Sequence, residues 1–154
     1  MAELGKVNDV ISYRLTLLLH RLVGVLVEGS APQFRNDGLS IPAARTLVSL
    51  LEEGGSATVG AVSVSTSIDL STTSHILRRL ERQELVRRER QDSDNRVVVA
   101  ALTNQGLDVA RRCRQASLDH EALLTKGMSS EEIVIFKRLL IEAFSNAKMG
   151  FKLS

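Results

Sequence analysis

Apolar side chains recur at Val7, Ile11, Leu15, Leu18, Leu22 and Leu26, a three-and-four spacing that predicts a helix over residues 8–28. Leu17, Leu19, Val23 and Val25 widen that face beyond what one lobe needs, so this helix is expected to pack against a second chain. Gly29, Pro32, Asn36 and Gly38 predict a loop over residues 29–39. Ser40 can cap a helix running to about Glu53, with Pro42 tolerated in its first turn. Ala44, Leu47, Leu50 and Leu51 form its buried face, and Gly54-Gly55 stop it. Residues 57–68 alternate locally through Val59, Val62 and Val64 and have poor helix propensity, which by itself favours a strand.

Asp69 is placed to cap a helix over residues 70–83. Thr73, Ile76, Leu77 and Leu80 share one face of it; Ser71, Ser74, His75, Arg78 and Arg82 lie opposite. Val86–Arg90 and Val97–Leu102 can pair as a hairpin around the polar turn Gln91–Asn95. Thr103 caps a helix to about Lys126 that carries Leu107, Ala110, Cys113 and Leu118, and Gly127 ends it. Ser129-Ser-Glu-Glu132 is a capping box. The final helix, about 130–148, is expected to bury Ile133, Phe136, Leu139, Leu140, Ala143 and Phe144.

Composition narrows the class. With 154 residues, 44% apolar and 25% charged, the chain suits a soluble globular fold of one domain, or of a small lobe plus an extended helical one. Aromatics are 3% and Trp is absent, which suits helices packed on helices. Net charge is only +2, yet residues 71–96 hold seven Arg and five acids and so carry that whole excess. One cysteine, Cys113, excludes an intramolecular disulfide and fits a reducing cytoplasm. The N-terminus lacks a secretory apolar core, and Arg or His interrupts the longest apolar stretches, so neither export nor a membrane span is expected. There is no Gly-rich phosphate loop, metal-spaced His/Cys set or nucleophile elbow, so neither an enzyme nor a cofactor or metal site is expected.

The chemistry concentrates in one stretch. Asp94-Asn-Arg96-Val97 leads into Ala101-Leu102-Thr103-Asn-Gln-Gly106, and upstream Ile68-Asp69-Leu-Ser71-Thr72-Thr73-Ser74 precedes Leu80-Glu81-Arg82. These segments resemble the wing and the recognition helix of MarR-family winged-helix transcriptional regulators. The resemblance covers nearly the whole chain in element order and makes residues 57–68 a helix. It implies a mainly α fold with a small β-hairpin wing, a winged helix-turn-helix joined to a helical dimerisation lobe. Residues 1–38 would supply the N-terminal dimerisation helix and loop, 39–103 the DNA-binding lobe, and 104–154 the C-terminal dimerisation helices. Two positions depart from the family pattern: Asn95 replaces the first of a frequent Arg pair at the wing tip, and Glu84 stands where Gly is usual. A left-handed Glu there would be strained, so that helix end is expected to close differently.

The resemblance implies double-stranded DNA as partner and a homodimer as the binding form. Ser71, Thr72 and Ser74, in the first turn of the recognition helix, would meet phosphate oxygens. His75 and Arg78 would face base edges, Arg78 with a fork that fits guanine. Arg96 would enter the minor groove with Asp94 orienting it, and Arg90 and Arg88 would be secondary phosphate ligands. Arg79 and Arg82 suit backbone contacts or ion pairs, and Cys113 suits a buried structural thiol. Tyr13, Arg14, His20 and Arg45 are candidates for holding a phenolic or carboxylate effector. A winged-helix protein-interaction module that has lost DNA binding is the alternative.

Overall fold

Among the described residues of this computed structural model, 14–91 and 94–151, six helices and three strands follow one another. They are α1 (Leu15–Arg35), α2 (Ile41–Glu52), β1 (Ser56–Thr58), α3 (Val59–Thr66), α4 (Leu70–Arg82), β2 (Val86–Gln91), β3 (Asp94–Leu102), α5 (Asn104–Leu124) and α6 (Ser130–Gly150). The result is a mainly helical chain with a small antiparallel sheet, as expected. It divides into two compact units, one through Ser117 and one from Leu118.

Side chains start the helices where the sequence places caps. Ser40 accepts from the Ala43 amide, Asp69 from the Thr72 amide and Ser129 from the Glu132 amide. Glu132 reaches back to the Ser129 amide at 2.7 Å, completing the capping box. Gly54 and Gly55, at φ 81° and 100°, stop α2, with the Gly55 amide donating to the Leu50 carbonyl.

Two segments differ from the sequence expectation. Residues 29–35 continue α1 rather than forming a loop, although Pro32 cannot donate to the preceding turn. Phe34 is buried and Ser30 Oγ donates to the Leu26 carbonyl, so burial outweighs local turn chemistry. Residues 56–66 split between the two readings: Ser56–Thr58 is a strand, as alternation favoured for residues from 57 on, and Val59–Thr66 is a helix, as the resemblance implied. Thr58 caps that helix by accepting from the Ala61 amide, and Val62 and Thr66, one turn apart, are buried. Ser65 and Thr66 donate back to the Val62 carbonyl, and Ser63 to the Ile68 carbonyl. The Ser65 and Thr66 hydroxyls thus bond to the backbone of their own turn, and that of Ser63 to the backbone just past the helix end.

β3 lies at the centre of the sheet, antiparallel to both β1 and β2. The core beside it gathers Leu47 and Leu50 from α2, Val62 from α3, Leu77 and Leu80 from α4, Ala100 from β3, and Val109, Ala110 and Cys113 from α5.

A junction after α4 sets the geometry of the hairpin. Glu84 takes a left-handed φ of 59°, correcting the expectation of a different closure. Leu85 N–H donates to Leu80 O and Glu84 N–H to Glu81 O, the double closure usually made with Gly. Thr103 Oγ1 donates to Glu84 O at 2.7 Å and accepts from the Gly106 amide at 3.0 Å. Thr103 N–H donates to Leu85 O. A Cβ on Gly106 would lie 1.8 Å from Leu85 O, so α5 can start here only with Gly at that position.

Among the described residues, exposed large apolar side chains fall mostly on α1 and α6. Leu15, Leu17, Val23, Val25 and Val27 are exposed on α1. None of α6 is buried: Ile133, Phe136 and Ala143 are half-covered, and Leu139, Leu140 and Phe144 are exposed, contrary to the expected burial. Among the described residues these stripes stay largely uncovered. By length and composition alone α1 is long and apolar enough to cross a membrane, although it carries His20, Arg21 and Glu28.

Gly106→Ala is expected to cost about 1–3 kcal/mol or more by overpacking against backbone. Glu84→Gly is expected to stabilise by about 0.5–1 kcal/mol by relieving the left-handed conformation. Urea denaturation of the two variants checks both signs.

Candidate nucleic-acid interface

The turn that presents α4 is built from short polar side chains. Ser67, at φ 54°, closes α3, and the Ile68 amide donates to the Ser63 carbonyl. Asp69 then opens α4, its carboxylate accepting from the Thr72 amide at 2.8 Å. Hydrogen bonds from Thr72 hold the Asp69 carboxyl below its ordinary pKa of 3.8. Thr73 Oγ1, fully buried, donates to the Asp69 carbonyl. The first turn is thereby locked, and one of its free amides is already satisfied.

The burial pattern of α4 follows the sequence expectation. Thr73, Leu77 and Leu80 face the core and Ile76 is half-buried. Ser71, Thr72, His75, Arg78, Arg79 and Arg82 are exposed, and Ser74 is half-buried. One helix face therefore offers hydroxyls in its first turn, an imidazole and a guanidinium mid-helix, and further guanidinium groups near its end. That order suits an element laid into a groove lined by phosphates at its edges and base acceptors at its floor.

Neighbouring groups divide the arginines by role. Arg78 Nε donates to the Ser74 carbonyl at 3.4 Å, within its own helix. Glu81 pairs instead with Arg88 of β2, at 3.5 Å. Arg79 Nη2 and Gln83 Nε2 both reach the Gly38 carbonyl, which ties the end of α4 to the turn before α2. Arg90 is exposed two residues beyond Arg88, on the same side of β2. His75, Arg78, Glu81, Arg82 and Arg88 together line an open cleft of about 400 Å³ between α4 and β2. This cleft was not legible in the sequence, because no local pattern gives the distance from α4 to β2.

At the wing, β2 and β3 keep register from Val86↔Leu102 to Arg90↔Val98, and then shift so that Gln91 faces Asp94. The backbone of Asp94 and Arg96 belongs to β3; their side chains lie outside the described part.

The four effector candidates have separate placements. Tyr13 lies outside the described residues. Arg14 is the exposed residue just before α1, and His20 is exposed on that helix. The Arg45 guanidinium donates to the Thr66 carbonyl, fastening α2 to the last turn of α3. A second, polar groove of about 490 Å³ is lined by Asn36, Asp37, Gln83, Gln105, Asp108 and Arg112, among others. Arg112 meets Asp37 across it at 2.7 Å, and that bond raises the Arg112 pKa. Cys113 is buried nearby, and burial pushes its thiol pKa up to about 11. Such a thiol stays protonated near neutral pH, as a structural cysteine does. Among the described residues no three His, Cys, Asp or Glu side chains converge as a metal site.

The sequence model of the MarR family matches residues 37–96, the span of the helix-turn-helix and most of the wing. The uncharacterized HTH-type transcriptional regulator YxaD of Bacillus subtilis is 30% identical over 132 residues, covering 86% of this chain and 89% of YxaD. The relatives found are thus transcriptional regulators rather than enzymes. The fold is similar to that of MepR of S. aureus in complex with DNA, with TM-score 0.78 and 20% identity, covering 88% of this chain and 99% of MepR. It is also similar to Bordetella bronchiseptica BpsR, whose DNA binding is regulated by 6-hydroxynicotinic acid. That match has TM-score 0.74 and 21% identity and covers 85% of this chain and 98% of BpsR.

The lowered Asp69 pKa carries a sign. A carboxylate held below its unfolded pKa stabilises the fold above that unfolded value, and the contribution is lost as pH falls through the folded value. Asp69→Ala is therefore expected to lower the Tm at neutral pH. The gap from the parent should narrow in acid, as pH falls below the ordinary 3.8. Thermal melts across that range check it; a gap independent of pH would remove the charged cap.

Proposed function

This chain belongs to the MarR family, and on that premise we propose that it is a sequence-specific DNA-binding transcriptional repressor acting as a homodimer. The observation that carries the proposal is the face of α4: Ser71, Thr72, His75 and Arg78 point to solvent from a helix pinned at both ends. In this reading α4 enters a major groove, with Ser71, Thr72 and Ser74 near phosphates and His75 and Arg78 at base edges. Arg96 enters the flanking minor groove, oriented by Asp94, while Arg90 meets the backbone.

The dimer would place two copies of α4 on half-sites about one helical turn, roughly 10 base pairs, apart. The uncovered apolar faces of α1 and α6 support it, since the partner chain would cover them. That role also accounts for the hydropathy of α1 without a membrane, and fits a cytoplasmic protein. In the dimer, residues 1–38 and 104–154 supply the shared lobe and 39–103 read DNA.

A phenolic or carboxylate effector would release the operator by favouring a dimer whose α4 spacing no longer fits it. The hydroxylated aromatic acid that regulates BpsR supports that ligand class. Tyr13, Arg14 and His20 are the side chains proposed to meet it. Arg45 would have to give up its bond to Thr66 to take part.

Arg96→Ala is expected to cost about 1–3 kcal/mol of affinity for a selected operator while leaving the dimer intact. Sequence selection with Arg78→Ala should show relaxed preference at one base pair per half-site. Anisotropy titration and size-exclusion chromatography check the first, and parallel selections on parent and variant check the second. A parent protein without salt-dependent duplex affinity would instead favour the protein-interaction module.

A further inference from the structure

Arg88 is held poorly for a guanidinium that is largely out of water. Its side chain is only 18% exposed, its Nε is buried with no hydrogen-bond partner, and one 3.5 Å contact to Glu81 is its ion pair. A paired Arg is usually held through a short two-pronged fork, and a dehydrated donor without a partner is costly. The cleft around it is lined by three arginines, Arg78, Arg82 and Arg88, and by one carboxylate, that of Glu81. Positive charge there is under-compensated, and Glu81, 42% exposed, is the more accessible member of the pair.

We propose that Arg88 is a phosphodiester-binding residue that Glu81 masks in the free protein, so that the DNA backbone displaces Glu81 on binding. The inference rests on the duplex-DNA reading above. If α4 occupies a major groove and the hairpin lies over the adjacent minor groove, the sugar-phosphate strand separating those grooves runs between them. The cleft between α4 and β2 is that passage. A phosphate offers several acceptor oxygens where Glu81 makes one long contact, and a guanidinium that swings out to it leaves the position in which Nε has no partner. Glu81 is then a brake: it holds a third cation of the cleft in reserve and lowers affinity for any duplex, whatever its sequence.

The test is a double-mutant cycle with Glu81→Gln and Arg88→Gln in the full chain, using labelled duplexes carrying either the selected operator or an unrelated sequence. Each affinity is read by anisotropy across roughly 50–200 mM salt. Glu81→Gln is expected to tighten both duplexes about 5-fold in the parent background and to change little in the Arg88→Gln background. Arg88→Gln is expected to weaken both duplexes alike and to flatten the salt dependence by about one counterion per protomer. An equal gain from Glu81→Gln in both backgrounds would overturn the mask, leaving Glu81 as simple repulsion. An unchanged salt slope in Arg88→Gln would overturn the phosphate contact. Parent protein that binds neither duplex would sink the inference together with the DNA reading, and is distinguished by that parent measurement. Thermal melts of each variant confirm that the comparison is between folded proteins.

Discussion

The contact between Gly106 and the Leu85 carbonyl constrains everything that follows α4. Because a Cβ at 106 would fall 1.8 Å from that oxygen, α5 begins directly over the turn that ends α4. Thr103 then fastens the two chain segments, donating from its hydroxyl to Glu84 O and from its amide to Leu85 O. The hairpin leaves from one side of this knot and returns to the other, so its placement beside α4 is determined at its base. Glu84 accepts a left-handed backbone to keep that arrangement. Its carbonyl and amide do the work, which is why a residue other than Gly can occupy the site at a modest cost in strain.

Electrostatics in this protein is a matter of position rather than of sum. A net charge of +2 on 154 residues supplies little long-range attraction. The arginines matter because α4 and β2 converge several of them on one cleft, and because acids elsewhere on the chain engage other cations. Asp37 holds Arg112, and Asp108 lies 3.5 Å from Arg111. Glu81 is the acid that lines the cleft itself, so in the proposed DNA reading it would have leverage on binding that its share of the net charge does not suggest.

The apolar faces of α1 and α6 follow a different logic. Both helices have ordinary local reasons to form: α6 has a reciprocal cap, and α1 has buried Phe34 near its end. Among the described residues neither has its stripe covered, so folding of the helices and burial of their faces are separate problems. The homodimer proposed above would solve the second, and would couple the spacing of two copies of α4 to whatever alters the shared lobe.

Hydrophobic period and cap chemistry determined much of this protein by themselves. Ser40, Asp69 and Ser129 open their helices, Gly54 and Gly55 close α2, and the buried and exposed faces of α4 fall where Thr73, Leu77 and Leu80 predict. Those features act over one or two turns, within reach of side chain and backbone along the chain. Tertiary structure decided the rest. Residues 29–35 became helical because Phe34 found a core, and residues 59–66 because Val62 and Thr66 did. Ser56–Thr58 became a strand because β3 offered it an edge, and Glu84 turned left-handed because α5 had to start above it. The Glu81–Arg88 pair and its cleft also belong to this second group. Each depends on a distance between segments far apart in sequence, which packing sets and local periodicity cannot encode.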